Sequence, residues 1–140
     1  MTAVVLAALA LMGAPSTTVV HCDRNLGDAG QTLLLNPPVI TLGAVACEAV
    51  KIAGPQARRR FRGIYASENA FVVGGGLLVL LHEAAHASGI VDETDAECAA
   101  LAKLPLFLRR YLAPFDARRG MLAVFMFDRA MPPEYHTHSC

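Results

Sequence analysis

Between Ala3 and Ala14 the chain runs through twelve residues without a polar side chain. That is well short of the ~20 residues a membrane-spanning helix needs. The run fits the apolar core of a secretory signal, with small residues near a cleavage point around Ala14. Segment 1–14 is therefore expected as a signal peptide and 15–140 as one folded domain. A retained membrane anchor and a buried N-terminal helix are the other arrangements such a stretch allows. The pattern then changes. Thr17 to His21 is a short β-rich segment, and Asn25 to Gly30 is rich in residues that bend chains. Gln31–Leu35 and Val39–Leu42 read as strands on either side of the turn Asn36-Pro37-Pro38. From Thr41 or Gly43 onward, Val45, Cys47, Val50 and Ile52 suit a helix that Gly54-Pro55 ends.

The second half reads as helices. Ser67-Glu68-Asn69 opens one that is expected to be interrupted at Gly74-Gly75-Gly76. Leu77 to Ser88 is apolar nearly all round, the mark of a central buried helix. Gly89-Ile90-Val91 breaks it, and Asp92 can cap a following helix that runs to about Leu104, before Pro105. Leu106 to Leu112 and Asp116 to Ala130 predict two more, separated by Pro114, ahead of an irregular tail. The basic run Arg58, Arg59, Arg60 and Arg62 reads as a solvated helix face. The fold class is α+β, mostly helical, with a small sheet or hairpin ahead of the helices.

Composition narrows the partners. The chain has 140 residues, 54% of them hydrophobic, and twelve Lys+Arg balance twelve Asp+Glu. One core can form, and disorder is excluded. A charge balance of zero argues against nucleic acid as a partner. Contact with a membrane is expected only if the N-terminal apolar segment is retained. Cys22, Cys47, Cys98 and Cys140 lie far apart with no CxxC among them. An even count in a small exported domain reads as two disulfides, and a secreted or extracytoplasmic location follows. Three connectivities are open. A Cys47–Cys98 bridge would fix the acidic segment against the upstream helix, leaving Cys22 and Cys140 to tie the chain ends.

The chemistry concentrates in Leu80-Leu81-His82-Glu83-Ala84-Ala85-His86. His82 and His86 are four apart on a helix pattern, so both imidazoles project from one face, one turn apart. Two neutral ring nitrogens at that spacing can share one Zn²⁺ at ~2.0–2.1 Å. Glu83 can then hydrogen-bond a metal-bound water, take its proton and return it to a leaving amine. This is the HExxH pattern of zinc peptidases. An almost wholly apolar helix is a costly place for two His and a Glu unless each is paired or metal-bound.

Catalytic zinc takes a third protein ligand. Asp92, Glu93, Asp95 and Glu97 follow closely. If the next helix doubles back, Glu97 comes level with the gap between the two histidines and is the first choice as ligand, with Glu93 supporting it. The exchange of these two roles stays open. Asp92 is most simply a cap. Read as HExxHxxGxxD, however, His82 to Asp92 looks like the metzincin pattern with Asp92 as third ligand. Met121, Met126 and Met131 would be candidates for that family's methionine turn, although Met121 and Met126 read as core.

With the HExxH helix in place, Gly89-Ile90-Val91-Asp92-Glu93 and Ala96-Glu97-Cys98-Ala99-Ala100-Leu101 resemble small bacterial zinc metallopeptidases of the zincin superfamily. The closing Pro132-Pro133-Glu134-Tyr135 and Cys140 are similar to the ends of such chains. The resemblance is strong over the helix pair and loose elsewhere. It implies a zincin fold: a small sheet, a backing helix and a central metal helix, with a peptide cleft beside an edge strand. Val39–Leu42 or Gln31–Leu35 would supply that edge. The gap from His86 to Glu97 is short, and the Asn-Glu-Ala segment of thermolysin-type enzymes is absent. The expected function is zinc-dependent hydrolysis of a peptide or protein substrate. The alternative is a catalytically silent zinc-binding module with a structural or regulatory role.

Other features carry less. Gly74-Gly75-Gly76 lacks the Lys and Ser/Thr of a phosphate loop and suits close backbone packing. His136 and His138 read as a solvated tail, with a metal contact or a flap as the rarer roles. Tyr135 or Tyr65 would be candidates to stabilise an oxyanion.

Overall fold

The strands on either side of the proline turn and one further upstream build the sheet. In a computed structural model, which describes residues 2–27, 29–53, 61, 66–130 and 140, three strands form: β1 (Val19–Cys22), β2 (Gly30–Leu33) and β3 (Val39–Leu42). β3 is central, pairing in parallel with β1 and antiparallel with β2. Val39–Leu42 is thus paired on both sides, and β2 is a sheet edge. Its inward positions alternate with exposed ones: Gly30 and Thr32 face the protein, whereas Gln31 and Leu33 face out. Ile40 and Leu42 of β3 are fully or almost fully buried.

Five helices complete the described residues: α1 (Ala3–Met12), α2 (Ala44–Ala53), α3 (Ala66–Ala87), α4 (Glu93–Tyr111) and α5 (Pro114–Ala130). The protein is mostly helical with a small three-stranded sheet, as expected for an α+β chain. Helix α3 is the axis, packed against every other helix and against β2 and β3. It is long and apolar enough to cross a membrane, yet 72% of that stretch is buried inside the protein. Leu77, Leu80 and Leu81 are all 0% exposed, and each contributes roughly 1.5–3 kcal/mol of apolar burial.

Two expected helix breaks do not occur. The glycines at 74–76 lie inside one continuous helix. Gly74 touches the backbone of Gly120 in α5, and a side chain on Gly76 would run into Ala49 and the Val45 carbonyl of α2. Gly costs roughly 1 kcal/mol relative to Ala within a helix, and here close packing on two sides outweighs that. Pro105 likewise leaves α4 unbroken, so Leu106 to Tyr111 continue the helix rather than start another. Burial of Leu104, Phe107 and Leu108 holds both sides of the proline in place. Met121 packs against the core, but Met126, expected there too, is 65% exposed.

Segment 1–14 contains α1. Thr2 caps its start and Gly13, at φ 75°, ends it. Val4 and Ala8 are fully buried, and the Tyr111 hydroxyl of α4 donates to the Ala3 carbonyl at 3.4 Å. The cysteines pair as Cys22–Cys47, with Cα atoms 5.7 Å apart, and Cys98–Cys140, at 5.4 Å. The first ties β1 to α2, and the second holds the last residue beside α4. The pairing Cys47–Cys98 with Cys22–Cys140 is thereby replaced: α2 and the start of α4 meet α3 at different places. Arg58, Arg59, Arg60, Arg62, Tyr65, Met131, Tyr135, His136 and His138 lie outside the described residues.

Candidate metal centre

Helix α3 ends immediately beyond His86 because Gly89 takes φ 105°, a left-handed conformation that a side chain disfavours. The Gly89 N–H donates to the His86 carbonyl and the Ile90 N–H to that of Ala85, which satisfies the last carbonyls of the helix. The chain then reverses. Asp92 accepts from the Asp95 N–H at 3.0 Å and caps α4, which returns alongside the histidines. Asp92 therefore serves as the cap, and Glu93 and Glu97, four residues apart, face α3.

At this corner the His82 and His86 Nε2 atoms are 3.0 Å apart. A Glu93 Oε2 atom lies 3.1 Å from the first and 3.3 Å from the second. Donors bound tetrahedrally to zinc at its usual bond lengths sit about 3.3 Å from one another. The ligand atoms of His82, His86 and Glu93 thus form a group that could hold a metal ion. Glu97 does not join them. Its carboxylate is 2.9 Å from the other ring nitrogen of His82, Nδ1.

The contacts behind the rings decide what the front can bind. His86 Nδ1 lies 2.7 Å from the Ile90 carbonyl, which can only accept, so the proton sits on Nδ1. By the same reasoning His82 Nδ1 donates to Glu97. Both Nε2 lone pairs of the neutral rings then point toward each other and toward the Glu93 carboxylate. Three electron-rich atoms at such distances repel unless a proton or a metal cation lies among them, so the donor set fits a metal ion. A ring nitrogen donating to a carboxylate or carbonyl behind it is the usual support of a metal-bound histidine.

The acids surrounding His82 favour its protonated form. Burial works against the charge, but the hydrogen bond and negative charge of Glu97, with Glu83 and Glu93 beyond, outweigh it and raise its pKa above 6.5. The His82 and His86 side chains are 18% and 12% exposed, whereas that of Glu93 is 70% exposed. The cluster is therefore open on the Glu93 side.

Glu83 lies on the inner side, only 5% exposed. Burial raises its pKa above 4.5, against the lowering effects of its Thr32 hydrogen bond and of the two histidines. The Thr32 hydroxyl is 2.7 Å from the Glu83 carboxylate and 3.0 Å from the carbonyl of the same residue. A side chain on Gly30 would meet the Glu83 carboxylate at 2.7 Å, so glycine there lets β2 lie over the acid without displacing it. Among the described residues no strand pairs with the outer edge of β2 beside this acid. The Gly43 N–H donates to the Ala29 carbonyl at 2.9 Å. Antiparallel alternation then turns the main-chain groups of Gln31 and Leu33 toward β3 and those of Gly30 and Thr32 outward.

Sequence reasoning found His82, Glu83, His86 and both acids, but missed Thr32, Gly30 and the Ile90 carbonyl. The available signal was a glycine and a hydroxyl at alternate positions, Gly30 and Thr32, of one short strand. In comparisons with known proteins, the chain matches no family model, no curated protein and no solved structure.

Proposed function

We propose that this protein is a zincin-like zinc peptidase of an extracytoplasmic compartment, with His82, His86 and Glu93 as ligands and Glu83 as general base. The observation that carries the reading is the convergence of two Nε2 lone pairs and one carboxylate oxygen within 3.0–3.3 Å, beside a buried acid and a strand edge that no described strand pairs with. Bound there, zinc supplies a Lewis acid that polarises a peptide carbonyl and makes water more acidic. Glu83 takes a proton from the attacking water and delivers it to the leaving amine, a role suited to a carboxylate whose pKa is raised by burial. Glu97 and the Ile90 carbonyl hold the imidazoles by their rear nitrogens. The outward N–H and C=O groups of Gly30 and Thr32 can pair with an extended substrate backbone, placing it next to Glu83. Two disulfides are compatible with an extracellular location.

One observation favours a second reading. The Glu83 carboxylate is already engaged by Thr32 and nearly closed off from solvent, as a purely structural acid in a silent zinc-binding module would be. Glu83→Gln separates the two. For an enzyme, zinc content is retained and cleavage of a peptide library falls by about 10²–10⁴-fold. If the wild-type, zinc-loaded protein cleaves nothing in that library, the silent module is the better description. If the purified protein binds no zinc and none can be added, both readings fall.

A further inference from the structure

The face formed by α1 and α4, on elements apart from the histidine cluster, lacks the polar cover that water requires. The inner side of α1 is committed to the core through Val4, Val5, Ala8 and Leu9. Its outer side presents Ala3, Leu6, Ala7 and Ala10, and there is no ionisable side chain anywhere from Thr2 to Val20. Leu6 is 49% exposed, and across the groove Leu106 of α4 is 60% exposed. A helix that is apolar on every side is expected to have every side covered. Between α1 and α4 lies a shallow groove of about 580 Å³, lined by Ala7, Leu11, Leu106, Phe107, Arg109 and Arg110.

The rim of the groove identifies what would cover it. Lys103, Leu106 and Arg110 follow one another at three- and four-residue spacing, so a single side of α4 carries cation, leucine and cation. Lys103, Arg109 and Arg110 are all exposed, and no acidic side chain among the described residues pairs with any of them. Arg109 donates to the Pro105 carbonyl, and Arg110 lies over the Tyr111 ring. Exposed leucines next to exposed cations match the boundary between acyl chains and anionic headgroups. A second copy of the chain fits poorly, because a two-fold contact would bring the same three cations against themselves.

We propose that the α1–α4 face seats the protein on an anionic lipid surface. In this arrangement residues 1–14 are retained rather than cleaved, and helix α1 lies flat in the headgroup region, since ten residues are too few to cross a bilayer. Leu6 and Leu106 enter the acyl boundary, and Lys103, Arg109 and Arg110 contact the headgroups.

The test is co-sedimentation of the 140-residue chain, residues 1–14 included, with vesicles of phosphatidylcholine alone or mixed with phosphatidylglycerol. Binding should require phosphatidylglycerol and weaken in high salt. The triple variant Lys103→Glu, Arg109→Glu, Arg110→Glu should bind at least about a hundredfold more weakly, from the attraction per basic side chain near such a surface. Leu6→Ser should weaken binding to the same vesicles without a change in circular dichroism. The triple variant tests the idea on exposed side chains even if Leu6→Ser misfolds. Equal pelleting with both vesicle types, or none with either, would overturn the proposal. So would a concentration-dependent dimer in gel filtration that Leu6→Ser dissolves, which would assign the face to a second copy.

Discussion

Helix α3 has two halves that do opposite things. Around Gly74 and Gly76 it is stripped to its backbone and pressed against α5 and α2. Around His82 to His86 it carries three ionisable side chains and packs against a helix that runs back alongside it and against the inner face of β2. The first half has no chemistry but fixes the axis. The second holds two imidazoles whose ring nitrogens must meet within tenths of an ångström. The difference sets a stretch fixed by backbone-to-backbone packing two turns ahead of a corner whose rings are held by hydrogen bonds from Glu97 and the Ile90 carbonyl.

The largest expected effect breaks the corner. Glu93→Ala should lose zinc outright when metal is measured by mass spectrometry or a chelator titration. Glu97→Ala should weaken binding about 10–100-fold, the usual cost of removing the group behind a metal-bound histidine. The reverse order would make Glu97 the third ligand and Glu93 the accessory acid.

The next prediction breaks the other half. Gly76→Ala should destabilise the fold by about 1–3 kcal/mol in urea unfolding, because the new methyl meets Ala49 and the α2 backbone. Gly75 has nothing within 4 Å of the corresponding position, so Gly75→Ala should instead stabilise by up to about 1 kcal/mol through helix propensity. Opposite signs at adjacent glycines would establish that close packing, rather than flexibility, is their purpose. If zinc affinity also falls in Gly76→Ala, the two halves are mechanically coupled.

Gly89→Ala sits between the halves and the return helix. Nothing crowds the position, but φ 105° is strained for any side chain, and a loss of about 1–2 kcal/mol is expected.

The smallest effect concerns pH. In metal-free protein His82 is surrounded by Glu83, Glu93, Glu97 and His86, and its pKa is raised above 6.5. That of Glu83 is raised above 4.5, mainly by burial. In both cases the folded state holds its proton more tightly than the unfolded chain. The Glu83 contribution is complete below 4.5 and that of His82 below 6.5, and each is lost as pH rises through its own folded value. Thermal melts of metal-free protein should therefore decline from acidic to neutral pH. Zinc needs both imidazoles deprotonated, so its stabilisation should grow over the same interval. A pH-independent melting temperature of the metal-free form would contradict the arrangement of acids around His82.

Much of this was legible in residue order. The strand Val39–Leu42, the helix after Gly43, the capping role of Asp92 and the one-face presentation of His82 and His86 follow from local rules of period and capping. Those rules operate within a few residues, and these features need nothing more. The errors have a common origin. Three consecutive glycines and a proline are helix breakers by propensity. At 74–76 and at 105 they were overruled by contacts with residues dozens of positions away. The sequence also offered Glu93 and Glu97 on one helix face and could not rank them, because one turn of offset between α3 and α4 decides which oxygen reaches Nε2 and which reaches Nδ1.

The amino-acid order by itself determined a mostly helical α+β chain with an acid and two imidazoles on one buried helix. Helical period and the cost of burying polar groups act locally and are read directly from spacing. Tertiary structure alone decided that Glu93 meets the Nε2 pair, that Thr32 and Gly30 lie over Glu83, that the cysteines pair 22 with 47 and 98 with 140, and that residues 3–12 pack into the core. Each of these depends on the relative placement of whole elements, which is set by how their apolar faces fill a common interior and not by the sequence near any one of them.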